Sequence, residues 1–427
     1  MANALEQRGF FWWLNEPNGQ TNSKETSVPG SLTISEAGHV KLDLDGALWY
    51  AEPPEPQPWG ESRFLPRGKW ITGRLGSYGD GGHVLLDGLE RTDFSIADEI
   101  PSPQSYKADL CITKDSPFDT DFNLASFDHL RIELVRLEEW LNLDSIQIGT
   151  EQVNDVDVEV AVKYKNHNFS YKTSDGTISI ESLTLGAGIL ASLYQHPQRN
   201  LTFKQTHWLI YTPTSQSSIE SLQNVFTRIE ELLALLIGSY CQLDWPIVVQ
   251  RNDDLDSWHR FYFLRDSVPA FEPNHWFMWT SFDVLRESFG DLFFAWKALR
   301  EQSGAGYYLY LAELRNPLPY TEHRFVNLIW ALESLHRVKR SDTATSPSER
   351  IQRILNRFND KADKADLKWL EGKLKYADEP SLEVRIFETF SALPLNLDKA
   401  GLRKFSSRCA QRRNQISHQG GPPGNEP

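Results

Sequence analysis

The chain has few cysteines, a shortage of positive charge and no long apolar run. Its three cysteines, Cys111, Cys241 and Cys409, lie far apart and form no Cys-x-x-Cys pair, so the sequence predicts neither a disulfide framework nor a cysteine zinc site. The most apolar window, residues 232–237, is much shorter than the roughly 18 residues that a membrane helix needs. The first residues show no signal-peptide pattern, and we expect a cytoplasmic protein without a membrane partner.

Several familiar catalytic motifs are also absent. The sequence contains no GxxxxGK[ST], no HExxH and no GxSxG, and the glycines of residues 76–83 lack a phosphate-binding lysine and are typical of a hairpin turn. We therefore predict no cofactor and no metal site. The remaining metal candidates are three Asp-x-Asp pairs, which fall in predicted strands or turns where solvated carboxylates are common: Asp43 with Asp45, Asp119 with Asp121, and Asp155 with Asp157.

What is present is a globular composition with an uneven charge distribution. A chain of 427 residues with 40% hydrophobic and 24% charged residues is too long for one core and predicts two domains. Its net charge of −14 by itself argues against a nucleic-acid partner. Residues 321–427, however, hold 19 Lys and Arg against 14 Asp and Glu, a balance of +5, while the rest hold 25 against 44, a balance of −19. This asymmetry favours RNA or DNA as a partner of the C-terminal part, although solubilising lysines and arginines explain it equally well.

The hydrophobic periodicity changes along the chain and predicts an α+β protein. Short alternating segments bounded by Gly, Pro and Asp continue to about residue 213 and favour a sandwich or an open-barrel-like arrangement. A long amphipathic helix is predicted near 217–241, a junction at 245–273, and a helical bundle from residue 282 onward. We predict a β-rich domain over residues 1–281 and an all-α domain over residues 282–427.

The segment from Arg413 to His418 carries residue types suited to RNA cleavage without a metal. Histidine can transfer protons near neutral pH, and arginine can hold a phosphate through two hydrogen bonds. The Arg-x4-His spacing is not diagnostic, because arginine and histidine produce it by chance in many chains. On a helical wheel, however, Arg413 falls in the apolar stripe of Leu402, Phe405, Cys409 and Ile416.

A buried arginine must be paired, and two explanations of Arg413 remain open. It either serves a phosphate site or closes an internal ion pair, for which Glu333 is the candidate partner. Glu333 lies at the edge of the apolar stripe of the helix that spans residues 322–339, four residues before Arg337. His336 lies within that stripe and is more typical of a packed histidine than of a catalyst.

At these residues the sequence resembles the HEPN superfamily of helical ribonucleases, specifically its ApeA-like branch. The resemblance rests on the terminal Arg413-Asn414-x-x-x-His418 motif and on the preceding helix segment from Ala331 to His336. In the front half, FFWWLNEP, VPGSLTI and ITGRLGSYGDGGHVLLDG resemble the domain that accompanies this HEPN type in bacterial anti-phage proteins. The resemblance covers most of the chain. It departs from the family at the end, where HEPN domains usually continue into a further helix and only QGGPPGNEP follows His418.

The resemblance implies a metal-independent endoribonuclease of abortive infection, acting on tRNA and leaving 2′,3′-cyclic phosphate and 5′-hydroxyl ends. It implies catalytic roles for Arg413 and His418, a supporting role for Asn414 and a nearby acidic residue, best matched by Glu333. It also implies a homodimer formed through the HEPN domain and a phage-derived trigger that the N-terminal domain senses. The basic residues of the last predicted helix, Lys404, Arg408 and Arg412, are the expected RNA contacts.

Two other classes of function remain open from the sequence. The first is a non-catalytic HEPN-like module that binds RNA or a nucleotide as a sensor or scaffold. The second is a structural interaction protein whose basic helix docks an acidic partner. A DNA substrate distinguishes the nuclease from the binding module, since DNA lacks the 2′-OH.

Overall fold

The computed structural model divides the chain into two compact units, residues Met1–Phe294 and Ala295–Pro427. The structure describes residues 3–14, 27–48, 70–76, 82–92, 103–118, 122–143, 146–152, 158–185, 204–252, 255–266, 278–302, 304–315, 320–341, 349–358, 363–374 and 379–419.

The strands lie in the first unit. They are β1 Asn3–Leu14, β2 Val28–Ser35, β3 Val40–Leu44, β4 Trp70–Leu75, β5 His83–Asp87, β6 Glu90–Arg91, β7 Gln104–Ala108, β8 Leu110–Lys114, β9 His129–Glu133, β10 Ile146–Gln152, β11 Val158–Tyr164, β12 His167–Lys172, β13 Gly176–Leu185, β14 Lys204–Pro213, β15 Ile247–Asn252 and β16 Leu255–Phe263.

The helices concentrate in the second half of the chain. They are α1 Glu138–Leu141, α2 Ile219–Ile237, α3 Phe282–Leu285, α4 Phe289–Gln302, α5 Gly304–Arg315, α6 Thr321–Ser341, α7 Glu349–Phe358, α8 Lys364–Leu374, α9 Leu382–Ser391 and α10 Lys399–Gln419. The helix α5 is not among the elements that the sequence predicts.

The N-terminal unit is built on an antiparallel sheet in which the described residues form fourteen strands, ordered β12-β13-β14-β9-β15-β16-β8-β5-β4-β1-β2-β3-β7-β6. Only Asp109 separates β7 from β8, and its backbone N–H donates to the carbonyl oxygen of Asp87 at 3.0 Å. Strand β7 pairs with β3, whereas β8 pairs with β5. In the sheet order, the strands from β8 to β7 therefore begin and end with two strands that are adjacent in the chain. This part of the sheet curls around its own core.

Alternating apolar residues explain why these segments are strands with one buried face. In β2 the side chains of Leu32 and Ile34 are fully buried, while their neighbours are partly exposed. Inward-facing side chains from eight strands meet in one apolar cluster: Phe11, Trp13, Leu32, Ile34, Val40, Leu42, Leu44, Ile71, Leu75, Val84, Leu86, Tyr106, Ala108, Cys111 and Tyr262, together with Leu48.

The hairpin β15–β16 corrects one prediction. The sequence predicts a junction over residues 245–273, whereas residues 247–263 form a hairpin in the middle of the sheet, between β9 and β8. The segment contains mixed aromatic and polar residues because a strand in a sheet places alternate side chains on opposite faces. Phe261 and His259 are fully buried, but Trp258 is exposed.

The predicted long helix is confirmed as α2. Its start is set by Ser218, whose hydroxyl oxygen accepts a hydrogen bond from the Ser221 N–H at 3.2 Å. It ends at Gly238, which has a φ of 81° and whose N–H donates to the carbonyl oxygen of Ala234. The apolar face of the helix, including Leu222, is buried.

The C-terminal unit is helical, and its small core lies between α6, α9 and α10. The buried residues Ile329, Ile386 and Cys409 come one from each of these helices. They are surrounded by partly buried side chains of Phe325, Leu332, Leu382 and Phe390. The helices α5 and α6 also approach closely, since a Cβ on Gly306 would lie 2.5 Å from Leu335.

These features confirm the predicted fold class, a β-rich domain followed by a helical domain. The division between the compact units falls after the predicted boundary at 281/282, because Phe282 and Phe289 pack against Trp140 within the first unit. None of the helices in the described ranges has both the length and the hydropathy that crossing a membrane requires.

Candidate functional site

The Arg413–His418 segment lies at the end of α10, the last helix of the C-terminal unit. The helix begins after Asp398, whose carboxylate accepts hydrogen bonds from the N–H groups of Ala400 and Gly401 at 3.1 and 2.7 Å. One continuous helix thus carries both positions. The side chain of His418 lies outside the described residues.

The buried face of α10 differs in part from the predicted apolar stripe. Leu402 and Cys409 are buried as expected, and Ser406 is buried beside them. The Phe405 side chain, in contrast, is 48% exposed and meets only the edge of the Phe390 ring. Burial raises the pKa of the Cys409 thiol, so this residue packs as a small protonated side chain rather than as a nucleophile.

The Arg413 guanidinium is half-buried and incompletely paired. Its Nη2 atom lies 3.9 Å from Glu333 Oε2, so the internal ion pair that the sequence left open is present but long. Its Nη1 donates to Asn414 Oδ1 at 3.2 Å. Its Nε is buried and has no acceptor within the described part of the chain. An arginine has five N–H donors, so the described residues use only a small part of the hydrogen-bonding capacity of Arg413.

Glu333 lies at the centre of a network of ion pairs. Its Oε1 atom accepts hydrogen bonds from Arg337 Nη2 at 3.1 Å and from Arg385 Nη1 at 3.3 Å. Arg385 also binds the Glu379 carboxylate through Nη2, and Arg337 lies 3.7 Å from that carboxylate. Three guanidinium groups therefore surround two carboxylates, and the group as a whole carries one excess positive charge. We call these five residues, Glu333, Arg337, Glu379, Arg385 and Arg413, the arginine–glutamate network.

Arg385 is the member of this network that sequence reasoning missed. It is 5% exposed, and its Nε donates to the carbonyl oxygen of Pro380 at 2.9 Å. A signal was available, because Arg385 falls between Leu382 and Ile386 in the apolar stripe of α9. The same kind of placement singled out Arg413 on α10.

The other predicted residues of this unit occupy different surroundings. His336 is buried, and its Nε2 lies 2.7 Å from Glu388 Oε2, which agrees with a packed histidine that has a partner. Arg412 Nη2 lies 4.0 Å from Glu322. Lys404 and Arg408 are exposed on α10 without an ion pair among the described residues. The basic side chains of this helix are therefore open to solvent on the side away from the core.

In the N-terminal unit, the metal candidates that lie within the described residues pair with other side chains. Asp43 pairs with Lys41 at 2.8 Å, and Asp45 pairs with Arg8. Lys41 and Ser105 lower the pKa of the Asp43 carboxyl against a burial effect that raises it. Within the described ranges no group of three or more His, Cys, Asp and Glu side chains could hold a metal ion. The remaining Asp-x-Asp pairs lie outside the described residues: Asp119 with Asp121, and Asp155 with Asp157.

The structure thus has a β-rich unit followed by a helical unit whose last helix carries Arg413 near its end. The comparison with known families is specific on both halves. The family model for ApeA N-terminal domain 1 matches residues 8–296, more than half of the chain. The model for the Apea-like HEPN domain matches residues 326–426, which include Glu333, Arg413 and His418. No curated protein and no solved structure matches the chain.

The chain therefore belongs to the ApeA family of HEPN proteins, and the resemblance predicted from the sequence is confirmed. The presence of both domains in one chain supports an anti-phage HEPN nuclease family as its setting.

Proposed function

We propose that the protein is a metal-independent endoribonuclease of anti-phage defence, with tRNA as its substrate. The observation that carries this proposal is the state of Arg413. It is a half-buried arginine in the matched HEPN domain, and its Nε has no acceptor within the described part of the chain. A phosphate can accept two parallel hydrogen bonds from such a group.

The proposed reaction is attack of the 2′-OH on the adjacent phosphate, which leaves a 2′,3′-cyclic phosphate and a 5′-hydroxyl end. Arg413 would hold the phosphate and stabilise the charge that develops on it. His418 would transfer a proton to or from the reacting oxygens, and Asn414 would orient Arg413 through their 3.2 Å hydrogen bond. Glu333 would restrain Arg413 rather than exchange protons, since its carboxylate faces three guanidinium groups.

We further propose that the site is completed in a homodimer. Positions 413 and 418 lie five residues apart on one helix, which corresponds to about 140° around its axis. They therefore do not share one helix face, and a second copy of the segment would supply the missing face. Lys404, Arg408 and Arg412 would extend the contact along the RNA backbone. A phage-derived trigger would bind the N-terminal domain. The proposed setting is the cytoplasm, in keeping with the three free cysteines.

The test is cleavage of purified tRNA by the wild-type protein and by His418→Ala, with sequencing of 5′-hydroxyl ends. We expect cleavage by the wild type, loss of cleavage in His418→Ala, and an unchanged oligomeric state by light scattering. The matched control is His323→Ala, at an exposed histidine of α6, which should cut normally. DNA of the same sequence should remain intact, because it lacks the 2′-OH. Undiminished cleavage by His418→Ala contradicts the proposal.

A further inference from the structure

The three arginines of the arginine–glutamate network do not share Glu333 equally. Its Oε1 atom accepts both close hydrogen bonds, from Arg337 at 3.1 Å and from Arg385 at 3.3 Å. Among the described residues its Oε2 atom has an ion pair only with Arg413, at 3.9 Å, which is too long for a hydrogen bond. The carboxylate is therefore committed to the first two arginines, and Arg413 is the loosely held member.

A carboxylate that already pairs with two cations attracts a third cation less strongly. The charge of Glu333 is already balanced by Arg385 and Arg337, so its net attraction for Arg413 is smaller than in an isolated pair. Arg413 in turn keeps a buried Nε with no acceptor among the described residues. A buried, unsatisfied donor favours any anion that can reach it. An RNA phosphate can occupy this donor and the Nη atoms together.

Arg385 is not available to bind a phosphate itself. It is 5% exposed, and all three of its nitrogen atoms are engaged, with Glu333, with Glu379 and with the carbonyl oxygen of Pro380. Arg337 is anchored on the same carboxylates but has a more exposed side chain.

We propose that Arg385, assisted by Arg337, positions Glu333 so that Arg413 can exchange this carboxylate for an RNA phosphate. Arg385 is then a positioning residue that acts through Glu333, and Glu333 competes with the substrate for Arg413. The inference rests on the proposed function for the identity of the anion. The inference predicts that substitutions of Glu333 and of Arg385, which contact each other, change the affinity for RNA in opposite directions.

The test measures the dissociation constant of a short 2′-O-methyl RNA, which cannot be cleaved through its 2′-OH, at one fixed low salt concentration. Glu333→Gln should bind more tightly and Arg385→Met more weakly, each on the order of tenfold. In the Glu333→Gln background, Arg385→Met should no longer weaken binding. The matched control is Glu383→Gln on α9, an exposed residue that removes the same charge away from the network and should change binding little.

A second pair of variants guards against misfolding of Arg385→Met, since removing a buried partner of two carboxylates can unfold the unit. Arg337→Met alters a side chain that is 61% exposed and should weaken binding a few-fold, again only when Glu333 is present. If Arg337 instead contacts RNA directly, its loss will persist in the Glu333→Gln background.

Loss of binding that is equal with and without Glu333, or weaker binding by Glu333→Gln, overturns the inference. Cleavage of unmodified tRNA is recorded in parallel and tests the proposed nuclease separately. Opposite effects on binding without any cleavage would support the positioning role and overturn the nuclease. If the protein cleaves tRNA but its Glu333 and Arg385 variants bind RNA equally well, the nuclease is supported and the positioning role is overturned. If neither the wild type nor any variant binds RNA, both proposals are overturned.

Discussion

The two compact units differ in the described apolar cluster that each contains and in what lies beside it. The curled sheet of the N-terminal unit encloses a large apolar cluster to which eight strands contribute side chains. The C-terminal unit has a smaller described cluster built on the buried residues Ile329, Ile386 and Cys409, and the arginine–glutamate network lies beside this cluster. Close apolar packing gives a rigid scaffold, whereas an ion-pair network keeps charged groups that a ligand can bind.

The buried histidines show the same contrast. In the N-terminal unit His259 is fully buried among Phe118, Phe122 and Phe127, and neither of its ring nitrogens has a hydrogen-bond partner in the described part of the chain. Burial, helped by the nearby Lys114 ammonium, lowers its pKa to about 4. In the C-terminal unit the buried His336 instead has a carboxylate partner, Glu388. His259 is thus buried against aromatic rings, whereas His336 is buried against a carboxylate.

The largest expected effect concerns the apolar core. Phe11→Ala removes a fully buried ring of β1 and should lower the free energy of unfolding of the N-terminal unit by about 3–5 kcal/mol. The matched control is Phe10→Ala, whose ring is 56% exposed on the same strand and should cost well under 1 kcal/mol. Hydrogen exchange in urea, resolved by peptide, measures both units at once. Equal losses for the two variants would contradict the role of the core.

An intermediate effect concerns pH and the buried histidine. The unfolded chain binds a proton on His259 below its ordinary pKa of 6.5, whereas the folded chain does so only near 4. The stability contribution is therefore complete above pH 6.5 and is lost as the pH falls toward 4, by about 3 kcal/mol.

His259→Phe should remove this share of the pH dependence of the N-terminal unit, measured as urea midpoints between pH 4 and 7. His39→Gln alters an exposed histidine in the turn after β2 and should leave the dependence unchanged. An identical pH profile for His259→Phe and the wild type would show that His259 is not the titrating group.

The smallest effect concerns the salt dependence of stability, compared for two similarly exposed arginines, one in each unit. Arg337 and Arg251 are each 61% exposed and lie 3.1 and 3.2 Å from their carboxylates. Arg337 belongs to the network, and Arg337→Met should cost the C-terminal unit about 0.5–1 kcal/mol at low salt and less at 1 M salt.

The single Arg251–Asp256 pair should contribute about 0.2 kcal/mol or less, so Arg251→Met is the control. The same hydrogen-exchange measurement at two salt concentrations compares both variants. If the two losses are alike, the network gives Arg337 no more than an ordinary surface pair, and the contrast between the units does not hold.

Local signals predicted much of the fold. The apolar repeat predicted a helix near residues 217–241, and the structure has α2 over Ile219–Ile237. The hairpin over residues 247–263 was missed, because a strand in this sheet that alternates between an exposed Trp258 and a buried His259 shows no simple binary pattern. Strand order was also beyond the sequence, since it depends on pairings between distant segments such as β16 with β8.

The candidate site, like the fold, could be predicted only in part from the sequence. The placement of Arg413 in an apolar stripe indicated a buried arginine that needs a partner, and it left open whether that partner is a phosphate or Glu333. Arg385 and Glu379 enter the site through helix packing across about fifty residues of sequence.

The sequence alone therefore determined the fold class and the uneven charge, because these depend on composition and on periods of two to four residues. Only the tertiary structure decided that Glu333 is divided among three arginines and that Arg413 is the one left loosely held. Ion pairing depends on distances of a few ångströms between helices, and no local sequence pattern encodes such distances.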